Sequence, residues 1–240
     1  MYYSDSIITT MQANKILALK VEEALAGVKD KIISNLNQIG DGATRALYYT
    51  SCFTDNYQDV CSKLKHDDKR FIDGVYQLIK DRNIIFEMIR IYIDIHFKNK
   101  TEGRVQNVLR KVVAAGIHIY SARSTTNLVV IGIATAICQN YRFSLIVNER
   151  VNKISSIHKA ARASTVAAVI GLNLYGLVQE AANSANSLKN FNAFYYAALY
   201  ERNLEMMYFI IEPFITQNMY LNPFLITDDE LADLIIKLAR

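Results

Sequence analysis

Arg90 and His96 stand six residues apart in RIYIDIH, with Asp94 between them. An arginine, a carboxylate and an imidazole can orient a substrate and move its protons if the backbone brings them to one face. On a strand, Arg90, Asp94 and His96 alternate onto a common side. On a helix, six residues turn the arginine and the imidazole well apart. The other histidines form no constellation. His66 precedes Asp67-Asp68, where a helix start explains the two carboxylates better than a metal. His118 is expected as a hydrogen-bonded core or boundary residue, and His158 lies in a basic segment. Cys52 and Cys61 have no histidine nearby to act as base. Three cysteines without a CxxC pair suggest free thiols in a reducing compartment. HExxH, GxSxG, Walker A and GxGxxG are all absent. These residues call for no cofactor, no metal and no evident small-molecule substrate, and they lean away from an enzyme.

Arg90-x5-His96 resembles, loosely, the Arg-x(4–6)-His element of the HEPN ribonucleases, an all-helical family. The resemblance implies that Arg90 and His96 serve RNA cleavage, usually across a dimer. Ile91 stands where that family usually has a polar residue. A solvated polar face is the simpler expectation for both residues.

The elements that must position these groups are helical. Two prolines, Pro213 and Pro223, and nine glycines leave few breakers in 240 residues. Ile7 to Ile39 has helical spacing through Leu25, Val28, Ile32, Leu36 and Ile39, closed by Gly40-Asp41-Gly42. A second helix is expected over Thr44–Lys65, and Asp67 or Asp68 would cap a third. Thr101 opens a helix through Val105, Val108, Leu109 and Val112. Thr227-Asp228-Asp229-Glu230 is a capping box before a stripe of Leu231, Leu234, Ile235 and Leu238. One stretch conflicts. Ile89 to Phe97 alternates strictly, as a strand would, and GIHIY at 116–120 repeats the pattern. Extension of the preceding helix through Val75, Leu78, Ile79, Ile85, Ile89 and Ile93 is the favoured alternative.

Charge is unevenly placed. Only eight of the 77 residues from Ser124 to Tyr200 are charged, against 42 in the rest of the chain. Residues 124–141 and 163–179 carry none. Between them, Arg142, Arg150, Lys153, Lys159 and Arg162 face a single acid, Glu149. Each uncharged segment is just long enough to approach the roughly 30 Å hydrocarbon core of a bilayer. Gly132 and Ala136 in the first, and Ala167 and Gly171 in the second, have the spacing of helix-crossing rows. Asn127, Thr135 and Asn173 suit interhelical hydrogen bonds or the wall of an aqueous pore. The five basic residues would dock on an anionic surface. The same two segments also suit central core helices of a soluble bundle.

This layout resembles the pore-forming colicins and the small membrane-depolarising effectors of bacterial secretion systems. The resemblance covers about Ser124–Val178. It implies a water-soluble helical protein that inserts 124–141 and 163–179 into a target-cell membrane. The colicin hairpin has a short turn, whereas this linker is long and basic. A helix joining two separate spans fits that difference. The N-terminus shows no signal peptide, so a protein made in the cytoplasm would need another machine to carry it out.

The whole chain is therefore expected to be one all-α domain of eight to ten helices. A subdivision would place an amphipathic helical part at 1–122 and the hydrophobic helix pair with the C-terminal helices at 123–240. Its expected partner is an anionic membrane or a protein, such as an immunity protein or chaperone. Dispersed basic residues give no clear nucleic-acid surface. The rival to membrane activity is a soluble interaction module: an immunity, adaptor or scaffold protein.

Overall fold

The computed structural model describes Arg45, Tyr48, Tyr49, Cys52 and residues 58–81, 83–119, 125–163, 167–215 and 222–240. For 155–163 and 167–173 it describes the helical backbone alone. Among the described residues the fold is all-helical, without strands. The helices are α1 (Gln58–Lys80), α2 (Ile84–Phe97), α3 (Glu102–Ala114), α4 (Thr126–Cys138), α5 (Tyr141–Ala163), α6 (Ala167–Phe191), α7 (Ala193–Tyr200), α8 (Glu212–Ile215) and α9 (Asp228–Ala239). A 3₁₀ turn, Glu205–Ile210, joins α7 towards α8. The expected helix over Ile7–Ile39 lies outside the described residues. The chain forms two compact units, 1–71 with 152–183 and 72–151 with 184–240.

In the first unit, α1 runs unbroken through Asp67-Asp68, where the sequence suggested a helix start. The Asp68 carboxylate is spent on tertiary structure instead of capping. It pairs with buried Arg45 at 2.6 Å and accepts a hydrogen bond from Tyr49. Arg45 also donates to the Leu64 carbonyl and to Gln179 Oε1, each at 3.2 Å. An almost fully buried guanidinium thus has three acceptors, as a buried charge requires. Cys52 is disulfide-bonded to Cys61, which corrects the expectation of free thiols. Cys61 faces inward on the first turn of α1, and the chain before it brings the two Cα atoms to 4.9 Å. Spacing in sequence could not reveal that approach.

In the second unit, Ile89 to Phe97 is helical. α2 buries Ile84, Ile85, Met88, Ile89, Ile91, Tyr92, Ile93, His96 and Phe97. A helix enclosed on nearly all sides tolerates isoleucine at every second position, which imitates a strand. It does not continue α1. Asp81 Oδ1 accepts from Asn83 N at 2.8 Å and separates the two. GIHIY forms no strand over 117–119. Ile117 and Ile119 are buried and His118 is exposed, correcting its expected place in the core or at its boundary. Gly116 has φ +88°, the left-handed conformation that closes α3. There Gly116 N donates to Val113 O and Ile117 N to Val112 O.

α9 starts with the expected capping box. Thr227 Oγ1 accepts from Glu230 N, and Glu230 Oε2 accepts from Thr227 N. Its stripe Leu231, Leu234, Ile235 and Leu238 is buried. The helix is fastened to α3 by Arg104–Asp228 at 2.8 Å, by Asn107–Asp228 at 3.0 Å and by the Lys111–Asp229 pair. At its other end Arg240 donates to the Ala115 carbonyl at 2.9 Å.

Candidate functional site

α4 has no charged residue and lies at the centre of the second unit, packed principally on α2 and also against α3 and α9. Val129, Val130, Ile133, Ala134 and Ile137 are completely buried. Thirteen residues make a helix only about 20 Å long, so the segment 124–141 is not one spanning helix. Of the expected second span, 163–179, the described residues are Ala163 on α5 and 167–179 on α6. No single described helix is long and apolar enough to cross a membrane. Thr126–Cys138 and Tyr141–Ile154 together meet that requirement, but they are bent by 74° where they join.

Asn140 makes the bend. It is buried, and its Oδ1 accepts from Arg142 N at 2.8 Å and Phe143 N at 3.2 Å. That is an N-cap for α5. Its Nδ2 reaches the Leu238 carbonyl on α9 at 3.5 Å. An asparagine immediately before a new helical run is a start signal. In QNY that signal is masked by the uncharged stretch around it.

The polar residues of α4 do not meet a common partner. Asn127 is exposed. Thr135 Oγ1 donates back to the Ile131 carbonyl at 2.8 Å, within its own helix. Gly132 and Ala136 are half-buried, beside the most enclosed face instead of on it. Ala167 and Gly171 lie on the α6 backbone, and the side chain of Asn173 lies outside the described residues. Cys138 is a free thiol on the last turn of α4, and burial pushes its pKa up to about 12. It is therefore a poor nucleophile at neutral pH.

The basic linker is α5 itself. Arg142 is exposed and Arg150 is half-buried. Lys153 pairs with Glu180 at 3.5 Å. Lys159 and Arg162 are carried on the helical backbone, with side chains outside the described residues. The linker is a helix in place of a loop.

Arg90 and His96 are not brought together. Arg90 makes two 2.7 Å hydrogen bonds to Glu87, which also pairs with Arg202. The Arg90 hydrogen bond is the main force holding Glu87 below the usual carboxylate range. His96 is inside. Its Nδ1 lies 2.8 Å from the Tyr92 carbonyl, and its Nε2 has no partner among the described residues. Burial is the main force lowering its pKa, and Lys100 adds to it. Arginine and imidazole face different surroundings, so this helix offers no acid–base pair within the chain.

Tyr92, Tyr195 and Tyr208 continue the buried cluster. Tyr92 and Tyr195 have ring centroids 5.2 Å apart, and Tyr195 and Tyr208 are at 5.9 Å. The Tyr195 hydroxyl donates to the Met88 carbonyl at 2.8 Å. Half of the aromatic run 190–211 is thus core, while Phe191, Phe194 and Tyr200 are exposed.

Among the described residues, no group of three or more His, Cys, Asp or Glu side chains could hold a metal. No family model, curated protein or solved structure matches this chain, so the geometry alone carries the functional reading.

Proposed function

We propose that the protein acts on membranes, as a pore-forming or depolarising toxin or effector whose core helix leaves the bundle and enters a bilayer. The observation that supports this reading is the uncharged helix α4, stored in the core and joined to α5 across a single capped bend. α4 with the first turns of α5 has the length and composition of a span. Neither segment has both alone. Straightening at Asn140 would supply one, at the cost of the Asn140 cap and the α4 packing. Lipid would replace the apolar contacts of Val129, Val130, Ile133 and Ile137. Asn127 and Thr135 would then give the inserted helix a polar side, which Asn173 would share. Arg142, Arg150, Lys153, Lys159 and Arg162 would meet anionic headgroups.

The experiment is expression at high level in bacteria, with membrane potential followed by a voltage-sensitive dye. Depolarisation and growth arrest are expected. Normal growth with a normal potential would refute the proposal.

A second reading, a soluble interaction module, is favoured by one observation. Ile72, Tyr76 and Ile79 recur at helical spacing on α1 and are each more than 60% exposed. A stripe of that kind suits the groove of a partner protein. This reading predicts a monodisperse protein without lipid affinity and a partner that co-purifies.

A further inference from the structure

The second unit carries a small apolar projection whose backbone is fixed and whose side chains are left in water. Asn222 Oδ1 accepts from Phe224 N at 2.9 Å. The Asn222 carbonyl accepts from Leu225 N at 3.1 Å and from Ile226 N at 2.9 Å. Pro223 and Ile226 are buried on either side. The turn is therefore anchored at both ends, and it holds Phe224 and Leu225 outward at 54% and 79% exposure. Phe194 on α7 meets Phe224 edge-to-face at 4.8 Å, and Phe191 ends α6 three residues earlier in the chain; both are half-exposed.

One cation is fixed at the base of this tip. Lys100 Nζ is held on the Ile226 carbonyl at 2.8 Å. Lys98 lies two residues before Lys100 and is exposed. Lys189 is exposed two residues before Phe191, with its ammonium 5.6 Å from the Tyr196 ring. Three acids that follow the turn are engaged locally: Asp228 with Arg104 and Asn107, Asp229 with Lys111, and Glu230 in the capping box. An apolar tip with the Lys100 ammonium fixed at its base matches the layered chemistry of a bilayer surface, with hydrocarbon below and phosphate above. A protein partner would need a cavity to receive a leucine this exposed, whereas lipid would not.

We propose that Phe224 and Leu225, backed by Phe194, form a docking tip for anionic phospholipid surfaces, with Lys98, Lys100 and Lys189 at the headgroup level. This inference rests on the membrane reading above and adds the surface that makes first contact, distant in sequence from α4. The chain has no tryptophan, so Leu225→Trp gives a single reporter. With vesicles of phosphatidylcholine and phosphatidylglycerol, its emission should shift to the blue and be quenched by nitroxides on the acyl chains. Leu225→Ser should weaken vesicle binding by about 10-fold or more, the size expected for leaving one leucine in water. Its far-ultraviolet spectrum and melting should match the wild type. Wild-type binding without any shift at position 225 overturns the docking tip and leaves the membrane reading standing. No binding by the wild type overturns both. A blue shift that grows with protein concentration in the absence of vesicles assigns the tip to self-association and overturns the lipid proposal.

Discussion

The imidazole of His96 lies 2.8 Å from the Tyr92 carbonyl through Nδ1, and its ring packs edge-to-face on the Tyr92 ring at 4.8 Å. The opposite nitrogen is buried without a partner among the described residues. α2 thus presents a neutral histidine inside the unit whose centre is α4.

Acid should loosen that unit. Burial lowers the pKa of His96 in the folded state below its ordinary 6.5. The unfolded chain then binds the proton more tightly, so stability is full above pH 6.5 and falls as the pH drops below it. Glu87, held low mainly by Arg90, acts further down the scale. So does Asp228, where the bonds from Asn107 and Arg104 outweigh the upward push of burial. Their stabilisation is present above the ordinary carboxylate range and is lost as the pH falls through it. Thermal melting from pH 8 to pH 4 should show two steps of loss. His96→Leu should remove the upper step and keep the lower one. An unchanged upper step in that variant would assign it elsewhere.

Arg45 is a buried charge. Removing Asp68 would leave its guanidinium enclosed with only Leu64 O and Gln179 as acceptors. Asp68→Ala should therefore cost about 3–5 kcal/mol, the usual penalty for breaking one partner of a buried pair. Urea unfolding measures it. A cost below about 1 kcal/mol would mean that the pair is as weak as a surface one.

The Cys52–Cys61 disulfide closes a short loop. Its loss should destabilise by about 2–3 kcal/mol through the entropy of the unfolded chain. Melting with and without a thiol reductant tests this directly. The Cys52→Ser, Cys61→Ser double variant should melt like the reduced protein and no longer respond to reductant.

Asn140 ties the bend to α9. Asn140→Leu removes the cap on α5 and should cost about 1 kcal/mol or more in stability. It also removes a polar obstacle to one continuous helix across 126–154. Under the membrane reading, the variant should permeabilise vesicles faster than the wild type despite its lower stability. Equal loss of stability and of permeabilising activity would argue against straightening at this residue.

Much of the fold was legible in local pattern. The α3 stripe and the Thr227–Glu230 capping box depend on residues three and four apart, and they stand where spacing placed them. α2 was ambiguous because enclosure on nearly all sides erases the amphipathic contrast that separates a helix from a strand. The break at Asn140 is hard to read from sequence because an unbroken run without charge looks the same whether one helix or two carry it. Long-range pairing was not accessible at all. Nothing near Arg45 in sequence points to Gln179, and nothing in the spacing of Cys52 and Cys61 distinguishes a bonded pair from two thiols. The burial of His96 likewise follows from the close packing of α2 with α4 and α7.

The most direct test places a fluorophore on α4. Leu128 is exposed in the bundle, and Cys138 is the free thiol among the described residues. A Leu128→Cys, Cys138→Ser protein would therefore be labelled at position 128. Mixed with dye-loaded anionic liposomes at pH 7 and pH 5, it should release the dye as its label turns blue and becomes accessible to acyl-chain nitroxides. Retained dye, an unshifted label and protein left in the supernatant at both pH values would contradict the account and make α4 a core helix alone.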